Sequence, residues 1–101
     1  MIYSLVVPSD MGDVEEVRVL EWHGGAGDAF AAGDLIVELE THKALVEVRA
    51  GQPGMLRRIL CPVGGWMAVG QPLATLSDRP DEPLPDGTRA QTQLLVEFRI
   101  S

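Results

Sequence analysis

Glu40-Thr41-His42-Lys43-Ala44 is a short polar stretch set between two runs, Leu35 to Leu39 and Ala44 to Arg49, that alternate apolar and polar residues. Such alternation has the period of a strand with one face buried, and a few polar residues between two such runs read as a hairpin. The stretch is therefore expected to be a turn with Lys43 near its tip. Lys43 is the only lysine among the 101 residues, the other basic side chains being arginines and two histidines. Any chemistry that needs a lysine amine must take place here.

Working outward, the chain reads as a series of short strands cut by glycine turns. Ile2 to Val7 is a first strand, ended by the loop Pro8-Ser9-Asp10-Met11-Gly12-Asp13. Between Val14 and Trp22, Val17 and Val19 face one way while Glu16, Arg18 and Leu20 face the other, as in a half-buried strand. Gly24-Gly25-Ala26-Gly27-Asp28 makes a turn, Phe30 stands alone, and Gly33-Asp34 turns the chain into Leu35–Glu40. Beyond the lysine turn, Met55 to Cys61 and Leu73 to Leu76 repeat the pattern, with Pro62-Val63-Gly64-Gly65 and Gly70-Gln71-Pro72 as breaks. No helix longer than a turn is expected.

A shift of 37 residues lays Gly27 on Gly64, Gly33 on Gly70, Ile36 on Leu73, Leu39 on Leu76, Val19 on Leu56 and Trp22 on Ile59. Each half is thus strand, glycine turn, lone large apolar residue, glycine turn, strand. Two such halves predict an all-β domain of two small sheets around one core, related by an approximate two-fold axis. The lysine turn falls where the first half hands over to the second. Residues 79–91 change character, with three prolines and three acids between Arg79 and Gly87, and predict an extended linker. Gln93 to Ile100 alternates again. The expected organisation is a domain over 1–78, a linker over 79–91, and a strand or tail over 92–101 that adds to a sheet edge, pairs with another chain, or begins something longer.

Composition narrows the function. Hydrophobic residues make up 46% of the chain and aromatics 5%, which predicts an aliphatic packed core. A net charge of −7 argues against nucleic acid or an anionic membrane as partner and suits basic patches on larger proteins. Cys61, the sole cysteine, excludes an internal disulfide and any multi-cysteine metal site, and its apolar neighbours Ile59 and Leu60 make it a core residue. No signal peptide is visible at the start, and no apolar run approaches the ~20 residues needed to cross a membrane, so a cytoplasmic protein is expected. His23 and His42 lack a third partner for a metal site, so none is expected. Gly24 to Gly27 is no phosphate cradle, because no helix is expected after it and no lysine lies inside it. Trp22 and Trp66 are expected to be packing residues.

The residues also carry a family likeness. Gly27-Asp28, Gly33-Asp34, Glu38 to Ala44, Glu47-Val48, Gly54, Gly64 and Val69-Gly70-Gln71-Pro72 together closely resemble the lipoyl domain of acyltransferase (E2) components of 2-oxo acid dehydrogenase complexes. The likeness covers roughly residues 3 to 77, and Glu21-Trp22-His23 resembles the strand ending of bacterial and branched-chain lipoyl domains. It implies a flattened β-barrel or sandwich of two four-stranded antiparallel sheets with quasi-two-fold symmetry. It further implies lipoic acid in amide linkage to Lys43, placed there by a lipoate ligase or a lipoyl transferase. The implied partners are the decarboxylase E1, which reductively acylates the dithiolane, the E2 acyltransferase core, and the E3 dihydrolipoamide dehydrogenase, which reoxidises the dithiol. Glu40, Thr41, His42 and Ala44 would be recognition elements around the turn, and Asp10, Met11 and Asp13 a contact loop for E1.

The chain departs from the family in places. His42 stands where the family usually has Asp, the Pro8 to Gly12 loop differs in spacing by one, and Ala26 and Val63 replace glutamates. No His-x-x-x-Asp-Gly motif of the acyltransferase core is present, so the chain is expected to carry substrate and to have no catalytic residue of its own. Two other readings stay open. A biotin carrier has a similar fold, but its acceptor lysine is typically flanked by methionines, unlike Thr41-His42 and Ala44. An unmodified lipoyl-like interaction module is usually interrupted by a helical hairpin, for which Lys43-Ala44 leaves no room.

Overall fold

The computed structural model describes residues 2–7, 14–79, 92–93 and 96–100. Among these residues ten strands form: β1 (Ile2–Val6), β2 (Glu16–Trp22), β3 (Ala29–Phe30), β4 (Leu35–Glu40), β5 (Leu45–Ala50), β6 (Gly54–Ile59), β7 (Trp66–Ala68), β8 (Pro72–Ser77), β9 (Thr92–Gln93) and β10 (Val96–Ile100). There is no helix among the described residues. The strands make two sheets, in the orders β3-β6-β8-β1-β9 and β7-β2-β4-β5-β10. The first four strands of each are the two four-stranded antiparallel sheets that the family likeness implies, and β9 and β10 extend them. Residues 8–13, which hold Asp10, Met11 and Asp13, lie outside the described residues, as does the segment 80–91.

Period-2 alternation decides which face of each strand is buried. In β2, Val17 and Val19 are buried while Glu16 and Arg18 are exposed; in β5, Val46, Val48 and Ala50 are buried. The inner faces meet in one aliphatic core containing Leu5, Val7, Leu39, Leu56, Leu73 and Leu76, with Tyr3, Trp22, Phe30 and Ile59 packed around it. Fully burying one such leucine is worth roughly 1.5–3 kcal/mol. Cys61 joins the core, and burial pushes its thiol pKa up. The indole Nε1–H of Trp22 donates to the Cys61 carbonyl at 2.9 Å, so its polar atom is satisfied where the ring packs.

The two-fold repeat extends to individual hydrogen bonds. Gly27 N–H donates to the Leu56 carbonyl at 2.7 Å, and Gly64 N–H donates to the Val19 carbonyl at 2.8 Å. His23 N–H donates to Ile36 and Leu60 N–H to Leu73, again related by the same shift. Both sheets carry a register irregularity at corresponding places, Val19/Glu21 in β2 and Leu56/Arg58 in β6. Gly27 and Gly64 have φ of 97° and 86°, a left-handed conformation that costs an L side chain roughly 1–2 kcal/mol. Gly54 is fixed by space instead, since a Cβ there would come within 2.9 Å of the Phe30 ring.

The axis of this repeat runs across the strands, so it exchanges the two ends of the domain. β4 runs from Leu35 to the lysine turn, while its mate β8 ends at Ser77, beside Ile2 at the other end. Val7, Gly70 and Glu15 lie at the lysine end, tied by Gly70 N–H to the Val7 carbonyl and Val69 N–H to the Glu15 carbonyl. β9 lies parallel to β1 through Tyr3↔Thr92 and Ser4↔Gln93, and β10 lies antiparallel to β5 from Val96↔Ala50 to Ile100↔Val46. The C-terminal segment thus adds to one edge of each sheet.

The lysine turn as candidate functional site

β4 and β5 pair as a hairpin closed at Glu40↔Leu45, with His42 and Lys43 exposed at its tip. Two-residue hairpin loops usually take primed turns, which need positive φ. No described residue other than glycine has positive φ, so this loop closes differently. Thr41 N–H donates to the Ala44 carbonyl at 2.8 Å, and the Thr41 hydroxyl Oγ1 accepts from Lys43 N–H at 3.1 Å and Ala44 N–H at 3.0 Å. The side chain thus replaces a backbone acceptor, a local turn device open to threonine. Sequence reasoning placed Thr41 among recognition elements; the geometry gives it the work of shaping the loop.

Glu40 is turned back along the sheet, where its carboxylate Oε1 meets Arg18 Nη1 at 3.1 Å. Ala44 is half-buried at the foot of β5. His42 faces an open groove together with Glu15, Glu16 and Trp66. Trp66 is 52% exposed, which corrects the expectation that it packs; of the two tryptophans only Trp22 does so. Its position on β7, a three-residue edge strand, puts the ring outside the core, and the sequence signal was its place on the polar side of that strand opposite Arg18. The structure therefore gathers Glu40, Thr41, His42, Lys43 and Ala44 at one end of the domain, and adds Arg18, Glu15, Glu16 and Trp66 to them.

His23 and His42 line different clefts. His23 Nε2 lies 2.6 Å from Glu38 Oε1 and 3.7 Å from Glu21 Oε2, the one grouping of metal-type ligand atoms within 4.8 Å among the described residues. The register explains it: Glu21 pairs directly with Glu38 across β2 and β4, and His23 sits between their like charges. Hydrogen bonding of His23 to Glu38 accounts for these atoms without an ion.

What the turn offers is one primary amine on a flexible stem, exposed at the tip of a short loop shaped by Thr41. Residues 4–76 match the family model described as biotin-requiring enzyme. The chain is 34% identical over 82 residues to the mitochondrial pyruvate dehydrogenase complex protein X component of Saccharomyces cerevisiae, covering 80% of this chain and 20% of that protein. It is 30% identical over 95 residues to the dihydrolipoyllysine-residue acetyltransferase component of pyruvate dehydrogenase complex of Zymomonas mobilis, covering 93% of this chain and 22% of that protein. A third relative is the dihydrolipoyllysine-residue succinyltransferase component of 2-oxoglutarate dehydrogenase complex of Staphylococcus saprophyticus, 36% identical over 72 residues, 71% of this chain and 17% of that protein. The chain spans about a fifth of the length of these curated relatives.

Proposed function

The chain belongs to the biotin- and lipoyl-attachment family, and from that premise we propose that it is a lipoyl carrier, with lipoic acid joined to Lys43. The observation that carries this reading is the position of its only lysine, exposed at the tip of a hairpin whose loop is shaped by Thr41. The residues fit the group: an exposed, unbranched amine, and no methionine beside it of the kind that flanks a biotin acceptor. The names of the similar proteins, which refer to dihydrolipoyllysine residues, favour lipoate over biotin.

Attachment needs only an amine and an activated carboxyl. The Lys43 Nζ lone pair attacks the carboxyl carbon, the C–N bond forms as the bond to the activating group breaks, and one amine proton is released. The lysine charge is lost and its stem becomes part of a longer arm. When bound, the dithiolane supplies acyl and electron transfer by thiol–disulfide chemistry, and the protein supplies presentation. The chain is then a substrate carrier, not an enzyme by itself. A lipoate ligase or lipoyl transferase would load it, and E1, the E2 core and E3 of a 2-oxo acid dehydrogenase complex would use it.

Intact mass of the chain produced in a lipoate-competent host tests this. The expected result is one lipoyl-sized increment that is absent from Lys43→Ala. No increment in the presence of an active ligase refutes it, and streptavidin binding would assign the biotin function instead.

A further inference from the structure

The two-fold repeat provides an internal control for the lysine end. Across the outer face of the second sheet, next to the turn, four residues pair in a row: Trp66 with Arg18, Arg18 with Glu40, and Glu40 with Leu45. The 37-residue shift carries Trp66, Arg18 and Glu40 onto Ala29, Met55 and Ser77. Those residues also pair in a row, Ala29 with Met55 and Met55 with Ser77, and Ser77 with Ile2 in the place of Leu45. The same backbone geometry is thus built at the far end with a small residue where the lysine end has tryptophan. The fold does not need Trp66.

Trp66 and Leu45 are each 52% exposed and stand at the two ends of the row, with the Arg18–Glu40 ion pair between them. Exposed aromatic and aliphatic side chains around a charged pair are the composition of a protein-binding patch. Trp66 also walls the groove lined by Glu15, Glu16 and His42. Two carboxylates beside an indole ring favour a planar cation that can stack and fork, which is arginine. Resting on the carrier reading above, we propose that this row and groove are the docking surface for the ligase that acylates Lys43. The partner sets an apolar patch on Trp66 and Leu45 and an arginine in the groove between the Trp66 ring and the glutamates.

The test is steady-state lipoylation of the unmodified chain by a lipoate–protein ligase with lipoate and ATP, followed by intact mass. Trp66→Ser and Leu45→Thr are expected to raise KM for the chain roughly tenfold or more with kcat unchanged, the behaviour of lost docking energy. The KM of the parent chain is expected to increase with ionic strength, and Glu16→Lys should raise KM and abolish that increase. Val63→Ser removes an apolar residue that is 61% exposed and lies outside the row, and should change neither constant. Far-UV circular dichroism and melting confirm that each variant is folded. Unchanged KM in Trp66→Ser and Glu16→Lys overturns the proposal, as does an effect seen only with a later enzyme of the shuttle. A parent chain that is never lipoylated refutes the carrier reading itself, so the two failures are distinguishable.

Discussion

Thr41 does two things with one hydroxyl: it accepts from the amides of Lys43 and Ala44 and so sets the direction in which the lysine leaves the sheet. Thr41→Val keeps the shape and removes the acceptor, leaving two amides to find water. A loss of about 1 kcal/mol is expected, which for a domain of this size is a fall in Tm of about 4–8 °C. Thr41→Ser should restore most of it, and differential scanning calorimetry of the pair would decide. The place of Lys43 at a hairpin tip was legible in the sequence because it lies between two alternating runs. Thr41's role was not, because a threonine near a turn has several partners open to it, and only backbone dihedrals show that this loop lacks a primed turn. Trp66 was misjudged for a related reason. Hydrophobicity predicts burial on average, but a short edge strand offers its outer side no layer to pack beneath.

At the level of strands, the alternation in β2, β4 and β5 was readable residue by residue, since a half-buried sheet forces period 2. The pairing of β10 was not, because an alternating strand states which face is apolar and says nothing about which edge it will join. Its register has a checkable consequence. Ala50 N–H donates to the Asp34 carbonyl, so in an antiparallel ladder Val46, Val48 and Ala50 point their backbone groups toward β4, and Glu47 and Arg49 point theirs toward β10. Deleting residues 92–101 should raise amide exchange at Glu47 and Arg49 by roughly tenfold or more while that of Val48 changes little. Equal rates with and without the segment would show that β10 does not hold this edge. The bared edge would also invite pairing between copies, seen as a concentration-dependent mass in light scattering.

For the molecule as a whole, the 37-residue shift announced the two-fold axis because glycine turns and apolar positions were kept in step. The axis relates β1 to β5 as well, but there the shift is 43, with Val7 answering to Ala50 and Tyr3 to Val46. The loop after β1 is longer than that after β5, and a single-offset comparison cannot see through it. The symmetry of the backbone and the asymmetry of its side chains then separate two demands on one sequence. Core valines and leucines recur in both halves because both must pack. Lys43, Trp66 and Glu16 fall on Pro80, Ala29 and Pro53 under the 37-residue shift, so the chemistry of the lysine end is not repeated at the other.

The course of β10 decides where a handle can be put on this protein. Ile100 pairs with Val46, so whatever follows it emerges beside the lysine turn, whereas Ile2 lies next to Ser77 at the far pole. An affinity tag or surface anchor fused after Ser101 therefore shares space with the Lys43 amine, and the same tag ahead of Met1 does not. With a bulky C-terminal fusion, lipoylation is expected to slow by roughly tenfold, by analogy with other losses of docking contact. With the N-terminal fusion it should match the untagged chain; equal rates for both would place the end of β10 away from the turn. A chip or resin carrying the chain by its first residue would present the arm outward, like a lamp on a bracket.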